Sequence, residues 1–224
     1  MKTRYSALFF LAVGLSLAGA QEPELAPGSE GYVEIVNTIS LKSPTQLAFG
    51  REASPAYFEV TPGMKTGTMP LYSGDYKILV KNEQCIKPEI SEKLTLTAGT
   101  YHTVILYTDL EERNGEMVPR LRVSAITGER KTGEPKLSII SLSTKPVVNV
   151  TVGGQGVALT PKRVQNFDVK MNDAVSIKQG GEMIVNVEFT TPVTHIVFLY
   201  DQPGTDLMDH TLIRQTIVLP ATFD

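Results

Sequence analysis

Residues 102–107 read HTVILY and residues 195–200 read HIVFLY. The two stretches agree at four of six positions and are apolar at a fifth in the later copy and the earlier one alike. In an extended chain successive side chains point to opposite sides, so His102, Val104 and Leu106 share one face and Thr103, Ile105 and Tyr107 the other. Both faces are apolar. Such a strand is expected at the centre of a sheet, covered on one side by its own partner layer and on the other by something else. The likeness continues downstream. Leu121 lies nineteen residues after His102 and Ile213 eighteen after His195, and each is followed by an arginine, Arg122 and Arg214. Each copy therefore reads as a strand, a polar acidic loop and a closing strand carrying Arg, and the two arginines are expected to share a structural role.

Working backwards, YVEIVN (32–37) and KLSIIS (136–141) supply matching opening strands. The first copy is longer between opening strand and His, and its surplus is assigned to the loops around GMKTGTMP (63–70) and NEQCIKPEIS (82–91). Together these features describe an internal duplication with a period near 93 residues.

Between these landmarks run short apolar segments rich in Val, Ile, Thr, Tyr and Phe, broken by Gly, Pro, Asn and Asp, which is the pattern of an all-β sandwich. In the first copy they are 32–37, 45–50, 56–60, 76–81, 93–97, 102–108 and 120–126. In the second they are 136–142, 147–152, 156–160, 163–169, 174–178, 183–189, 195–200 and 211–219. No long window keeps three-four apolar spacing without a proline or glycine intruding, so no helix is predicted. The expected fold is all-β: two tandem immunoglobulin-like β-sandwich domains after a cleaved signal peptide. The boundaries read 1–20 signal peptide, 21–31 extended lead-in, 32–126 first sandwich, 127–134 linker and 135–224 second sandwich.

The signal assignment rests on MKTRYSALFFLAVGLSLAGA (1–20), with Lys2 and Arg4 ahead of an apolar run and small residues at Ala18 and Ala20. No Cys follows the Leu17–Gly19 stretch, so a lipid anchor is not expected. The destination is then the periplasm or the medium, with no stable membrane insertion. Removing Lys2 and Arg4 takes the net charge from −3 to about −5. With no basic block longer than Arg130-Lys131 or Lys162-Arg163, nucleic-acid binding is disfavoured. The single cysteine, Cys85, cannot form an internal disulfide, so the core must hold the fold.

Few residues suggest chemistry. His102 and His195 have no HxH, HExxH or Cys/His ligand spacing and read as rim residues of a strand. The loop DQPGTDLMDH (201–210) offers Asp201, Asp206, Asp209 and His210 as candidate metal ligands, but not at calcium-loop spacing, and the corresponding loop of the first copy carries Asp109, Glu111 and Glu112. Solvated acidic turns are the plainer reading, so no metal and no cofactor are expected. There is no G-x-S-x-G elbow and no S-x-x-K, and Cys85 has no His near it in sequence, so no catalytic residue is assigned. The glycines of GGQG (153–156) and QGG (179–181) lie between strands, as tight turns require, and not ahead of a helix as a phosphate loop requires. Asn149-Val150-Thr151 matches a glycosylation sequon inside an expected strand. Tyr32, Tyr57, Phe58, Tyr72, Tyr76 and Tyr101 are available as a sugar platform, although packing explains them as well.

APGSEGYVEIVN (26–37), PLYSGDYKILVKN (70–82), LTLTAGTYHTVILYTD (94–109) and KLSIISLSTKPVVNVTVGG (136–154) resemble the opening strands and Gly-Asp-Tyr and Gly-x-Tyr turns of the AlgF family, accessory proteins of alginate O-acetylation, and of related bacterial exported β-sandwich repeats. The likeness covers most of the chain loosely and departs from the family at DLEERNGEM (109–117) and TLIRQTIVLPATFD (211–224). It implies no catalytic residues. It implies a non-enzymatic adaptor of the cell envelope that assists exopolysaccharide O-acetylation by binding polysaccharide or an envelope protein, such as a membrane acyltransferase complex. The competing readings are a secreted adhesion or chaperone-like module, and a metal-dependent hydrolase built on Asp201, Asp206, Asp209 and His210.

Overall fold

The computed structural model of the chain describes residues 29–51, 56–128, 134–201 and 212–219, and all regular structure in them is β. The first half holds β1 (Glu30–Asn37), β2 (Thr45–Gly50), β3 (Phe58–Val60), β4 (Met69–Tyr72), β5 (Gly74–Lys81), β6 (Glu89–Leu96), β7 (Tyr101–Arg113) and β8 (Glu116–Gly128). The second holds β9 (Lys136–Ser141), β10 (Val148–Val152), β11 (Gln155–Leu159), β12 (Val164–Asp168), β13 (Ala174–Gln179), β14 (Glu182–Glu188), β15 (Thr194–Asp201) and β16 (Leu212–Leu219). They form four four-stranded sheets, ordered β4-β1-β7-β8 and β3-β2-β5-β6 in the first half, β12-β9-β15-β16 and β11-β10-β13-β14 in the second.

Counted from one within each half, the two halves have the same order. In each, the first strand also runs parallel to the seventh, with Val33 opposite His102 and Leu137 opposite His195. The two histidines therefore hold the same register position. This order replaces the immunoglobulin-like one expected from the sequence, in which the first, second, fifth and fourth strands share a sheet. Here the first strand joins the fourth, seventh and eighth. In keeping with that central place, β1 and β9 are buried along nearly their whole length: one face packs into the body's own core and the other meets the second body.

The inner faces fill two cores. Val33, Ile35, Leu47, Ile78, Val80, Leu96, Val104, Leu106 and Leu121 close the first. Leu137, Ile139, Val150, Leu159, Ile177, Phe189, Val197 and Leu199 close the second. A third cluster takes the opposite face of the same strands: Val36 and Ile105 from the first half meet Ile140, Leu142, Ile196, Phe198 and Tyr200 from the second. The something else that covers HTVILY is thus the other copy, and the reverse holds for HIVFLY. Burying a Phe, Leu or Ile side chain is worth ~1.5–3 kcal/mol, so this shared cluster fastens the two bodies together.

Several expectations change. The strand Met69–Tyr72 was not foreseen; it lies in the segment read as a loop, and its half-exposed residues with Pro70 give no strand signal. The surplus of the first copy does fall where expected, with residues 61–68 against 160–163 and 82–88 against 180–181 between strands. Asp109, Glu111 and Glu112 do not lie in a loop. Pairing with β1 ends at Leu106, yet β7 and β8 continue as a two-stranded ribbon from Tyr107–Arg122 to Arg113–Glu116. Asn114 and Gly115, both with positive φ (54° and 83°), turn the tip, as a two-residue hairpin with right-handed strand twist demands. The arginines, finally, are not equivalent. Arg122 lies opposite Tyr107, whereas Arg214 lies opposite Leu199, whose counterpart is Leu106 and faces Val123. The downstream spacings of nineteen and eighteen differ by one from the structural register, and one residue is enough to change a strand position's role.

Candidate functional site

Of the acidic-loop candidates, Asp206, Asp209 and His210 lie outside the described residues. Asp201 ends β15, and its carboxylate is occupied by the β9–β10 turn. Ser143 Oγ donates to Oδ1 at 2.6 Å, while Thr144 N and Oγ1 donate to Oδ2 at 2.9 and 2.8 Å. Its carbonyl accepts from Ser40 Oγ of the first half. Asp201 thus braces a turn and touches the other body. Among the described residues no three His, Cys, Asp or Glu side chains gather closely enough to hold a metal ion.

The histidines sit at strand entries on the inner side. His102 has Thr100 Oγ1 2.8 Å from Nε2 and Thr127 Oγ1 3.3 Å from Nδ1. His195 meets Phe189 edge-on at 4.9 Å, and its buried Nδ1 has no hydrogen-bond partner among the described residues. Burial pushes both imidazoles below their ordinary pKa, favouring the neutral ring. The Cys85 thiol lies in the first core, and burial pushes it up to about 12, so no thiolate forms near neutral pH. Asn149 is exposed on β10. The tyrosines do not form one platform: Tyr76 stacks on Phe49 at 5.3 Å, Tyr101 donates to the buried Glu34 at 2.8 Å, and Tyr57 lies between Lys81 and Glu89.

A more developed polar site lies elsewhere. A cleft of about 560 Å³ opens between the edge strands β6 and β8, lined by residues 87 and 89–92 on one side and 120–123 on the other, together with Tyr107, Asp109 and, from the second body, Lys162. Alternation along RLRV (120–123) places Arg120 and Arg122 on one face of β8, with Leu121 buried in the core. Arg122 Nε lies 3.8 Å and Lys162 Nζ 2.6 Å from the same atom, Asp109 Oδ2. Arg120 reaches Glu111 at 2.6 Å. Lys162 Nζ also stands 6.0 Å from the centre of the Tyr107 ring, the outer reach of a cation–π contact.

The backbone at Lys162 is unusual. Thr160-Pro161-Lys162 and Thr61-Pro62-Gly63 form the same turn in the two bodies: Lys162 N donates to Ser141 O and Gly63 N to Asn37 O, at equivalent strand ends. Both central residues have left-handed φ, 65° for Lys162 and 79° for Gly63. Glycine adopts this at no steric cost, whereas another residue loses about 1 kcal/mol. A lysine is thus held in a glycine's conformation at the one turn that faces Asp109 across the bodies. The signal was present in the sequence as TPG against TPK, but it has no meaning until the ribbon brings Asp109 alongside.

Searches of protein-family models and of curated proteins returned no match to this chain. Chemically, the cleft offers Lys87, Arg120, Arg122 and Lys162 beside the acids Glu89, Glu92 and Asp109, one tyrosine face and the strand edge of β6, and its lining carries neither a histidine nor a cysteine.

Proposed function

We propose that the chain is a non-enzymatic accessory protein of the bacterial cell envelope, an adaptor that assists exopolysaccharide O-acetylation by holding a polymer or a partner enzyme such as a membrane acyltransferase. The observation that carries this reading is the cleft assembled from both bodies. Arg120, Arg122 and Asp109 are set on paired strands, and the bodies are fixed to each other by an apolar cluster, which suits a rigid recognition surface. The periplasmic or extracellular destination and the AlgF-like resemblance of the opening strands point the same way. The metal-dependent alternative loses Asp201, whose carboxylate oxygens are taken up by the turn.

The test is affinity capture from an envelope fraction with the full chain and with the double variant Arg120→Glu, Arg122→Glu. The adaptor reading expects an acyltransferase among the captured proteins and its loss with the variant. Capture that the double variant leaves unchanged, or a stoichiometric divalent ion with hydrolytic turnover in the purified protein, overturns it.

A further inference from the structure

We propose that the cleft is the docking site for an extended acidic peptide segment of a protein partner, which adds along the β6 edge and whose carboxylate replaces Asp109 on Lys162 and Arg122. This rests on the adaptor reading and names the partner's chemistry. Three observations carry it. First, among the described residues β6 pairs only with β5, whereas the outer edge of β8 is met by the β5–β6 loop, where Ile86 N donates to Pro119 O at 3.0 Å; β6 therefore keeps a backbone edge for pairing along the cleft, and an added strand is the occupant that uses such an edge. Second, a cation from each body converges on a single partly exposed carboxylate oxygen. An internal acid on a protruding ribbon thereby occupies the position an incoming acid would take. Third, Lys162 holds a conformation that its counterpart in the other body leaves to glycine, so the charge is kept at this point against the local backbone preference. A sugar chain is the poorer occupant, because Tyr107 is the one aromatic ring among the lining residues and sugars are held largely on such faces.

The experiment titrates the full chain with a fluorescent Thr-Glu-Thr-Glu-Thr-Glu hexapeptide, its Thr-Gln counterpart, a backbone N-methylated Thr-Glu peptide and an oligogalacturonate. The acidic peptide binds at least tenfold more tightly than the Gln and N-methylated forms. Lys162→Gly weakens it about tenfold without lowering the melting temperature, since glycine suits the turn. Asp109→Asn, which removes the internal competitor, tightens it severalfold. Equal binding of the Gln peptide, insensitivity to N-methylation, weakening by Asp109→Asn, or tighter binding of oligogalacturonate than of peptide would each overturn the proposal. Capture of an acyltransferase that Lys162→Gly leaves intact sinks this inference alone, while peptide binding without such capture sinks the adaptor reading alone.

Discussion

On the outer side of its central strands the first body presents Glu34, Val36, Thr103, Ile105 and Tyr107; at the same register positions the second presents Ser138, Ile140, Ile196, Phe198 and Tyr200. On the inner side the pairs are close in kind: Val33 with Leu137, Ile35 with Ile139, Val104 with Val197 and Leu106 with Leu199. The contrast follows from what each side must satisfy. An inner position answers to the volume of its own core, and eight strands in one order fix that volume similarly twice. The outer positions answer to each other. One surface keeps a buried carboxylate, held by Tyr101 at 2.8 Å and Lys65 at 3.5 Å, while the opposing surface supplies the large apolar groups.

That difference can be broken from either side. Phe189 and Phe198 are both fully buried, the first in the second body's own core and the second in the shared cluster. Truncation of either to Ala is expected to cost ~3–5 kcal/mol, but with different reach. Hydrogen exchange should rise only in the second body for Phe189→Ala, and in β1 and β7 as well for Phe198→Ala. If Phe198→Ala leaves exchange in β1 and β7 untouched, the cluster does not couple the bodies.

A smaller effect separates Glu34 from its counterpart. Tyr101→Phe deletes the hydroxyl that donates to the buried carboxylate, and leaving such a group short of a partner costs about 1–3 kcal/mol. Ser138 donates to Asn166 Oδ1 at 2.8 Å between neutral groups, so Ser138→Ala is expected to cost about 1 kcal/mol or less. Urea midpoints of the two variants measure the gap; equal midpoints would mean that Glu34 is not held by Tyr101.

The histidines allow a pH comparison. Burial lowers both imidazole pKa values in the folded state, so below the unfolded value of roughly 6.5 the unfolded chain binds more protons and stability is lost as the pH falls. Above that value both states are neutral and the loss vanishes. His102 has a hydroxyl oxygen near each ring nitrogen, whereas His195 Nδ1 has none among the described residues. Replacing His195 with Phe should therefore flatten the acid limb of melting temperature against pH more than His102→Phe does. The opposite ranking would show that the threonines do not ease protonation.

Much of this arrangement was legible in the chain. Strand pairs with breakers between them marked all eight strands of the second half, and seven of the first. The two-faced apolarity of HTVILY and HIVFLY marked central strands, although nothing in either stretch says what covers the second face; that is a property of the assembled pair. The arginines are not equivalent because near-equal spacing in sequence does not give equal register: spacings of nineteen and eighteen miss the structural alignment by one residue. The cleft was illegible for a related reason. Arg120, Arg122, Asp109 and Lys162 are ordinary surface charges until the ribbon carries β7 and β8 past β1 and the shared cluster brings the Thr160–Lys162 turn beside them.

The Thr-Pro turns give the finest test of the comparison. Gly63 and Lys162 share a backbone conformation and Lys162 also holds Asp109, so exchanging them should be asymmetric. Gly63→Lys places a side chain at φ near 79° and is expected to cost about 1 kcal/mol. Lys162→Gly relieves the same strain but gives up the 2.6 Å contact to Asp109, a partly exposed pair worth roughly 0.2–1 kcal/mol. The two terms nearly cancel, leaving stability within about 0.5 kcal/mol of the parent. Thermal unfolding at low and at 1 M salt separates them, because screening removes the ion pair and not the strain: the glycine variant should gain on the parent as salt rises. If it loses ground instead, the lysine is stabilised at that turn by something other than Asp109, and the two turns are not the same device with one residue changed.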